Sequence, residues 1–320
     1  MKQSRLLKSS TRRLAYSSLD LLRFAGFKQA IFWLAMAEQQ FIKTGPYLAF
    51  FSYCYHRAEF GLCTQMMEAF VDRFSRQWPN HHTSEQQHPS SVPEQELIES
   101  MAYFFEVVNA AGFRPFITFG TLLGYVRDKR FIPWDRDLDI GLFYDETDVE
   151  KLVQLLNDSR FNVTEYTGTE FSCKIKCRLP GGPSIDIAFF KQERDKLLTF
   201  GRLGNGDTVI RKRTPFQLAD AVYYDVPIRI PENPEVFLTE NYGDWQTPKK
   251  AYHQILDSQL TDYDSIPGIR YMAMAILLLH LQNKDKQAVA HYLDLFIKKL
   301  PEDPFWVTTK AKLYACNYLF

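Results

Sequence analysis

The sequence has no net charge at neutral pH: 38 basic side chains face 38 acidic ones. That balance argues against a general nucleic-acid binder, which needs excess basic charge to displace counterions from phosphates. Cysteines are few, five in all, an odd number in no regular framework. This points to a reducing compartment rather than a disulfide scaffold. No apolar run reaches the roughly 18–20 residues that a membrane span needs. The best stretches, "AIFWLAMA" and "YMAMAILLLHL", are too short and read as buried helices. No signal peptide stands out either, since no clean apolar run and cleavage site follow the basic start. The remaining composition, 46% apolar and 24% charged over 320 residues, is that of a globular chain with two or three structural units.

Basic residues are unevenly spread. Residues 1–30 carry Lys2, Arg5, Lys8, Arg12, Arg13, Arg23 and Lys28 against Asp20. This suits a weak contact with an anionic membrane or a transit-like segment, and equally a solvated terminus. Helical periodicity is expected over 28–43 and 61–77, the second ending at Trp78-Pro79. The polar stretch 79–95, "PNHHTSEQQHPSSVPEQ", marks a linker, and its histidines His81, His82 and His88 read as solvated. A helix "QELIESMAYFFEVVNAAG" follows, ending on a glycine suited to a C-cap. Then come the β-type runs "FITF", "DLDIGLF", "FSCKIKC" and "SIDIAFF", with helical "DVEKLVQLLND" between the second and third. Cys173 and Cys177 share a strand face, so core packing is their default and zinc the minor reading. The last 60 residues return to helix. The expected organisation is α+β: a helical region over 1–92, a mixed domain over 93–260 and a helical region over 261–320. The similar endings "AFVDRFSRQWP" and "HYLDLFIKKLP" raise tetratricopeptide-like helix pairs, with plain helical packing as the alternative.

The chemistry concentrates in "GTLLGYVRDKRFIPWDRDLDIGLF", residues 120–143. Read as a strand, "WDRDLDIGLF" turns Asp135, Asp137 and Asp139 to one face and Leu138, Ile140 and Leu142 to the other. At about 3.3 Å per residue, Asp137 and Asp139 have Cα atoms about 6.6 Å apart, close enough for their carboxylates to share an ion. Two such charges roughly 4 Å apart repel by about 4 kcal/mol at an effective dielectric of 20. A divalent cation removes that cost, and all-oxygen ligands favour magnesium or manganese. Asp135 also suits a cap on a turn after Pro133. In "SIDIAFF", Asp186 lies between Ile185 and Ile187, where a carboxylate is costly unless paired or bound to metal. Beside the first strand it completes a cluster of three.

Upstream, Gly120 ends an apolar run and Thr121 is placed to cap a short helix whose N–H groups suit phosphate. Arg127 lies about two turns on, positioned to pair with phosphate. Trp134 suits stacking on a base or sugar, and equally a wedge in the loop. Lys174, Lys176 and Arg178 alternate on one strand face and suit a pyrophosphate or plain solvation. Tyr242, Gly243 and Asp244 read as a turn.

Gly-Thr followed by Asp-h-Asp-h and then h-Asp-h, where h is apolar, resembles the polymerase-β-like nucleotidyltransferase superfamily. Within it, "GTLLGYVRDKRFIPWDRDLDIGLF" is similar to the signature of the LicD/fukutin family. "SIDIAFF" resembles that family's later acidic strand, and "PENPEVFLTENYGDWQTP" (231–248) its closing segment. The likeness covers about 96–250. Arg136 departs from it, standing where the family often has an acidic residue. The resemblance implies a nucleotidyltransferase-type core and transfer of a phospho-alcohol from a CDP-linked donor to a glycan or lipid-linked glycan, with CMP leaving. Asp137 and Asp139 would then hold magnesium or manganese, and Asp186 would be a third ligand or the base. Phosphoribitol, phosphocholine and phosphoglycerol remain equally open. The expected place is the cytoplasm, peripheral to the inner face of the membrane. A metal-dependent glycosyltransferase with an Asp-x-Asp motif, a true nucleotidyltransferase and a non-catalytic helical adaptor are the alternatives.

Overall fold

The computed structural model describes residues 60–78, 92–167, 174–203, 207–249, 252–261 and 268–319. The basic N-terminus, the 28–43 helix, most of the polar linker with its three histidines, and Cys173 lie outside the described residues. These residues divide into two compact units, one spanning Gln86–Ile269 and the other joining the early helical region to Arg270–Phe320. Helical segments expected separately near the two ends of the chain thus cluster together.

The mixed unit begins with α2 (Glu94–Ala110), which follows α1 (Phe60–Gln77) in the chain. Pro93 stands at its N-cap and Glu94 and Glu96 occupy its first turn, where carboxylates favour the positive end of the helix. Leu97, Met101, Phe104, Phe105 and Val108 fall on one stripe and are all buried. The helix stops where Gly112 takes φ +87°, as its glycine predicts. After α2 come β1 (Phe116–Ile117), α3 (Phe119–Leu123) running into a π-helical turn (Gly124–Asp128), and β2 (Asp137–Phe143). A 3-10 turn and α4 (Val149–Asp158) lead to β3 (Asn162–Thr167), β4 (Lys174–Arg178) and β5 (Ser184–Glu193). Asp148 caps α4 by accepting the Lys151 N–H at 3.0 Å. Two hairpins follow, β6 (Lys196–Arg202) with β7 (Thr208–Arg213) and β8 (Leu218–Tyr223) with β9 (Val226–Pro231), and then α5 (Pro234–Tyr242).

The main sheet runs β1-β2-β5-β4-β3, with β6 and β7 continuing from the far end of β5. β2 and β5 are parallel; the other neighbours are antiparallel. The fold is therefore α+β with a mixed sheet and flanking helices. β2 and β5 alternate as "DLDIGLF" and "SIDIAFF" foretell. Leu138, Ile140, Leu142, Ile185 and Ile187 are buried, together with Cys177 on β4. Burial of the Cys177 thiol pushes it up to about 12, which fits core packing.

Two expectations need correction. "FITF" gives only a two-residue strand, because Thr118 is the N-cap of α3 and Phe119 already bends to φ 39°. Asp135 does not lie on β2: its N–H donates to the Ile132 carbonyl at 2.9 Å, closing a turn over Pro133 and Trp134 before the strand starts.

In the helical unit, α1, α6 (Ile269–Gln282), α7 (Lys286–Lys299) and α8 (Pro304–Ala315) pack through aromatic residues. Phe296 lies 4.6 Å from buried Trp306, and Phe74 and Trp78 lie 5.0 and 4.6 Å from Tyr318. Among the described residues, no helix is long and apolar enough to cross a membrane.

Candidate active site

The N-terminal ends of β2 and β5 carry the carboxylates. Their parallel register sets Asp139 directly opposite Asp186, and Asp137 opposite Ser184. A strand alternates its side chains, so all three aspartates share the face away from the core. They open into a cleft of about 380 Å³ that Asp135 also lines. Phe119, Gly120, Leu123, Arg127, Ile132 and Trp134 form one part of its wall. Tyr242, Asp244, Trp245, Thr247, Lys249, Tyr252, His253 and Gln254 form another.

Asp139 is fixed on three sides. Its Oδ2 accepts the Gly120 N–H at 2.8 Å, its own N–H donates to Thr121 Oγ1 at 2.8 Å, and its carbonyl accepts the Thr118 N–H at 3.0 Å. Gly120 leaves space that the acids occupy: a Cβ there would lie 2.6 Å from Asp135 Oδ2 and 3.0 Å from Asp139 Oδ2, so a carboxylate would have to shift. Here the structure differs from the expected helix start. Thr121 is not a cap but sits inside α3, and the Gly120 N–H serves a carboxylate rather than standing ready for phosphate. The cause is that α3 begins three residues earlier than its sequence suggests, at Phe119 rather than Leu122.

Crowding three carboxylates has an electrostatic consequence. Asp135 is pushed up to about 7, first by burial and then by the charge of Asp137. Burial, then Asp137 and Asp135, lift Asp139 well above the usual carboxylate range, against the Gly120 N–H that acts to lower it. Asp186 has been provided with partners of its own. Lys174 Nζ and Lys176 Nζ stand 3.1 and 3.0 Å from its Oδ2, and Ser184 Oγ donates to Oδ1 at 3.0 Å. The antiparallel register Lys176↔Asp186 makes this arrangement. Burial acts to lower the Lys176 ammonium, but the Asp186 hydrogen bond and charge outweigh it, and the net shift is upward.

The structure therefore gathers Asp137, Asp139, Asp186, Gly120, Arg127 and Trp134 around one cleft, with Thr121 behind it. Lys174 and Lys176 reach the site only through Asp186 and do not line the cleft. Arg127 is committed too: its Nε and Nη2 pair with Asp128 at 2.9 and 2.7 Å. Trp134 is 41% exposed at the rim. Among the described residues, no three His, Cys, Asp or Glu groups already converge as metal ligands. Asp186 is drawn to the lysines, whereas Asp137 and Asp139, two positions apart on β2, could hold a hard divalent ion between their carboxylate oxygens.

Sequence reasoning missed several contributors. Gly243 makes the expected turn at φ +67°, yet Tyr242 and Asp244 on either side line the cleft. Tyr252, His253 and Gln254 join them, and only their nearness to "YGDW" hinted at it. On the His253 ring, Nδ1 accepts the N–H groups of Ile255 and Leu256, both at 3.3 Å, which fixes the ring's orientation.

A carboxylate-lined cleft at the ends of adjacent parallel strands, with a glycine against the acids, is the arrangement that the sequence motif of a nucleotidyltransferase-type domain anticipates. Residues 112–233 match the family described as LicD/FKTN/FKRP, nucleotidyltransferase domain. Over 150 residues the chain is 24% identical to Ribitol-5-phosphate transferase FKTN of Macaca fascicularis and 23% identical to that of Homo sapiens. Each alignment covers 46% of this chain and 32% of the relative. The Mus musculus protein of the same name is 24% identical over 135 residues, 42% of this chain and 29% of its own length. The matched part thus spans about a third of the length of these curated relatives. Two solved structures also align. The lincosamide antibiotic adenylyltransferase LnuA does so with TM-score 0.32 and 17% identity over 48% of this chain and 90% of its own. ANT(2")-Ia in complex with adenylyl-2"-tobramycin has TM-score 0.31 and 12% identity over 61% and 98%. The likeness of the central domain to the LicD/fukutin family, read first from its motif, is shown by the family match and by the fukutin alignments.

Proposed function

We propose that the protein is a transferase that moves a phospho-alcohol from a CDP-linked donor to a hydroxyl of a glycan or lipid-linked glycan, releasing CMP. The observation that carries the reading is the β2–β5 register, which sets Asp139 against Asp186, with Asp137 beside them, in a cleft of the family-matched domain. Asp137 and Asp139 would hold magnesium or manganese, which would neutralise charge on the pyrophosphate of the donor. Asp186, held by two ammonium groups and a hydroxyl, would be a third ligand or the base that accepts the proton of the acceptor hydroxyl. Gly120 lets α3 close on Asp135 and Asp139, and so shapes the carboxylate wall that the donor would face. Trp134 and Trp245 offer stacking surfaces at the cleft wall, and Arg127 supports that wall by donating to the Trp245 carbonyl at 3.4 Å. Lys174 and Lys176 act on Asp186 and carry positive charge near the phosphates.

Segment 93–260 is the catalytic domain in this reading. The helical regions 1–92 and 261–320, with tetratricopeptide-like pairing, would receive the acceptor or a partner. The setting would be cytoplasmic, with the basic N-terminus against an anionic membrane face.

The test is Mn2+ titration of Asp137→Ala and Asp139→Ala alongside CMP release from CDP-ribitol, CDP-choline and CDP-glycerol. Each variant should keep its fold and lose Mn2+ binding and most CMP release. Native Mn2+ affinity in both variants would remove the metal assignment, and no CMP release by the native chain from any of the three donors would remove the proposed reaction.

A further inference from the structure

The β8–β9 hairpin turns through Tyr224 and Asp225, which take φ 49° and 62°. Two-residue turns with both residues at positive φ are ordinarily made by Asn, Asp or Gly. An aromatic side chain is disfavoured there, and it persists only where its surroundings fix it. The surroundings of Tyr224 are specific. Its hydroxyl accepts the N–H of buried Phe131 at 3.1 Å and donates to Glu94 Oε1 in the first turn of α2. Its ring stacks on that of Phe131, with centroids 5.1 Å apart and planes 14° apart. Arg130, just before Phe131, brings its Nε to 3.6 Å from the same Glu94 oxygen.

These contacts grip the connection between the π-helical turn and β2. That connection supplies Ile132, Trp134 and Asp135 to the cleft, whereas Tyr224 itself does not line it. The turn that carries Trp134 closes on the Ile132 carbonyl, one residue beyond the gripped Phe131. The gripping side is anchored in its own right. Glu94 at one end of α2 meets Tyr224, and Asn109 near the other end accepts Arg229 Nη1 of β9 at 2.7 Å. Val226 and Ile228 seat β9 in the core. Helix and hairpin thus form a frame, and Tyr224 carries its hold to the loop.

We infer that Tyr224 is a positioning residue: it fixes the turn from Ile132 to Asp135, so that Trp134 stands as a preformed stacking wall for the nucleoside of the donor. This rests on the proposed function. A preformed wall spares the ligand the entropy of ordering it. Where the wall is in place only part of the time, apparent affinity falls by that fraction. The effect falls on donor binding rather than on the transfer step. Asp137 and Asp139 lie on β2, whose pairing with β5 holds them without the help of Tyr224.

The experiment is calorimetric titration of the full chain with CDP at saturating Mn2+, for the native protein, Tyr224→Phe, Trp134→Ala and the double variant. Thermal melts and the fluorescence anisotropy of Trp134, isolated by difference against matched Trp134→Phe chains, are measured alongside. Tyr224→Phe keeps the stacked ring and removes the hydroxyl. It should fold, weaken CDP binding about fivefold, the usual worth of one hydrogen bond, and lower the anisotropy of Trp134. In the Trp134→Ala background the same change should weaken CDP binding no further, because two residues acting through one contact are not additive. Unchanged CDP affinity in Tyr224→Phe, or an equal loss with and without Trp134, overturns the inference. A Tyr224→Phe chain that fails to fold overturns it too, since the hydroxyl would then serve the fold rather than the loop. A native chain that binds no CDP removes the proposed function instead. The anisotropy of Trp134 then still decides the hold on the loop, and an unchanged value in Tyr224→Phe overturns it.

Discussion

Gly120→Ala separates the site from the fold that carries it. A methyl group at this position would meet Asp135 Oδ2 at 2.6 Å and Asp139 Oδ2 at 3.0 Å. Restoring an ordinary 3.4 Å contact asks the Asp135 oxygen to retreat by about 0.8 Å, the difference between 3.4 and 2.6 Å. Neither carboxylate can swing away freely. Asp139 Oδ2 is held by the Gly120 N–H itself, and Asp135 Oδ1 accepts the Arg136 N–H at 3.0 Å. The backbone has no reason to object: Gly120 lies within helical α3, where alanine is favoured over glycine by up to about 1 kcal/mol. The variant should therefore melt within a few degrees of the native chain. A misplacement of about 1 Å in a reacting constellation costs on the order of 100-fold in rate, or about 2.7 kcal/mol at roughly 1.36 kcal/mol per decade. Thermal melts, Mn2+ titration and CMP release measured side by side test this. A variant with native Mn2+ affinity and native CMP release would refute the claim that the approach of α3 to the aspartates shapes the site. A variant that unfolds would refute the claim that space, not backbone, demands this glycine.

Two further outcomes follow from the same geometry. Asp186→Asn keeps the shape but loses a basic oxygen; CDP and Mn2+ affinity should hold while turnover falls roughly 100-fold, and joint collapse of binding and rate would show a metal ligand instead. Asp135 titrates near 7 in the folded chain against an ordinary 3.8, so the native state holds its proton more tightly than the unfolded state does. Stability should therefore fall as pH rises from about 4 to about 7, in the direction that Asp139 reinforces. Calorimetric melts without divalent ions should show this decline, with Asp135→Asn flattening it; a native melting temperature that rises across this window would contradict the assignment.

The run "DLDIGLF" was legible as β2, because an apolar/acidic alternation of seven residues admits one pleat only, although the strand was carried too far back, to Trp134. Asp186 was legible for the same reason. Asp135 was misassigned to the strand because period two continues through "WDRD" although Pro133 closes a turn there. The entry to α3 was hidden because Phe119 adopts positive φ, a conformation that β-rich "FITF" does not advertise. Lys174 and Lys176 could be placed on a face, but not opposite Asp186, since cross-strand register depends on tertiary pairing. Arg211 and Arg213 were illegible for a related reason. "TVIRKR" reads as an exposed strand, and only the packing of Phe119, Phe190 and Phe237 makes its arginines internal.

The parallel pairing of β2 with β5 also sets a timetable. Parallel neighbours cannot be joined by a tight turn, and here α4, β3 and β4 intervene between the strands. The chain must complete that whole excursion before Asp139 meets Asp186, so the cleft is a product of late, long-range assembly rather than of any local segment. During synthesis the first acidic strand emerges well ahead of the second. The nascent chain therefore carries half of the carboxylate cluster, which stays incomplete until the sheet has closed around its middle.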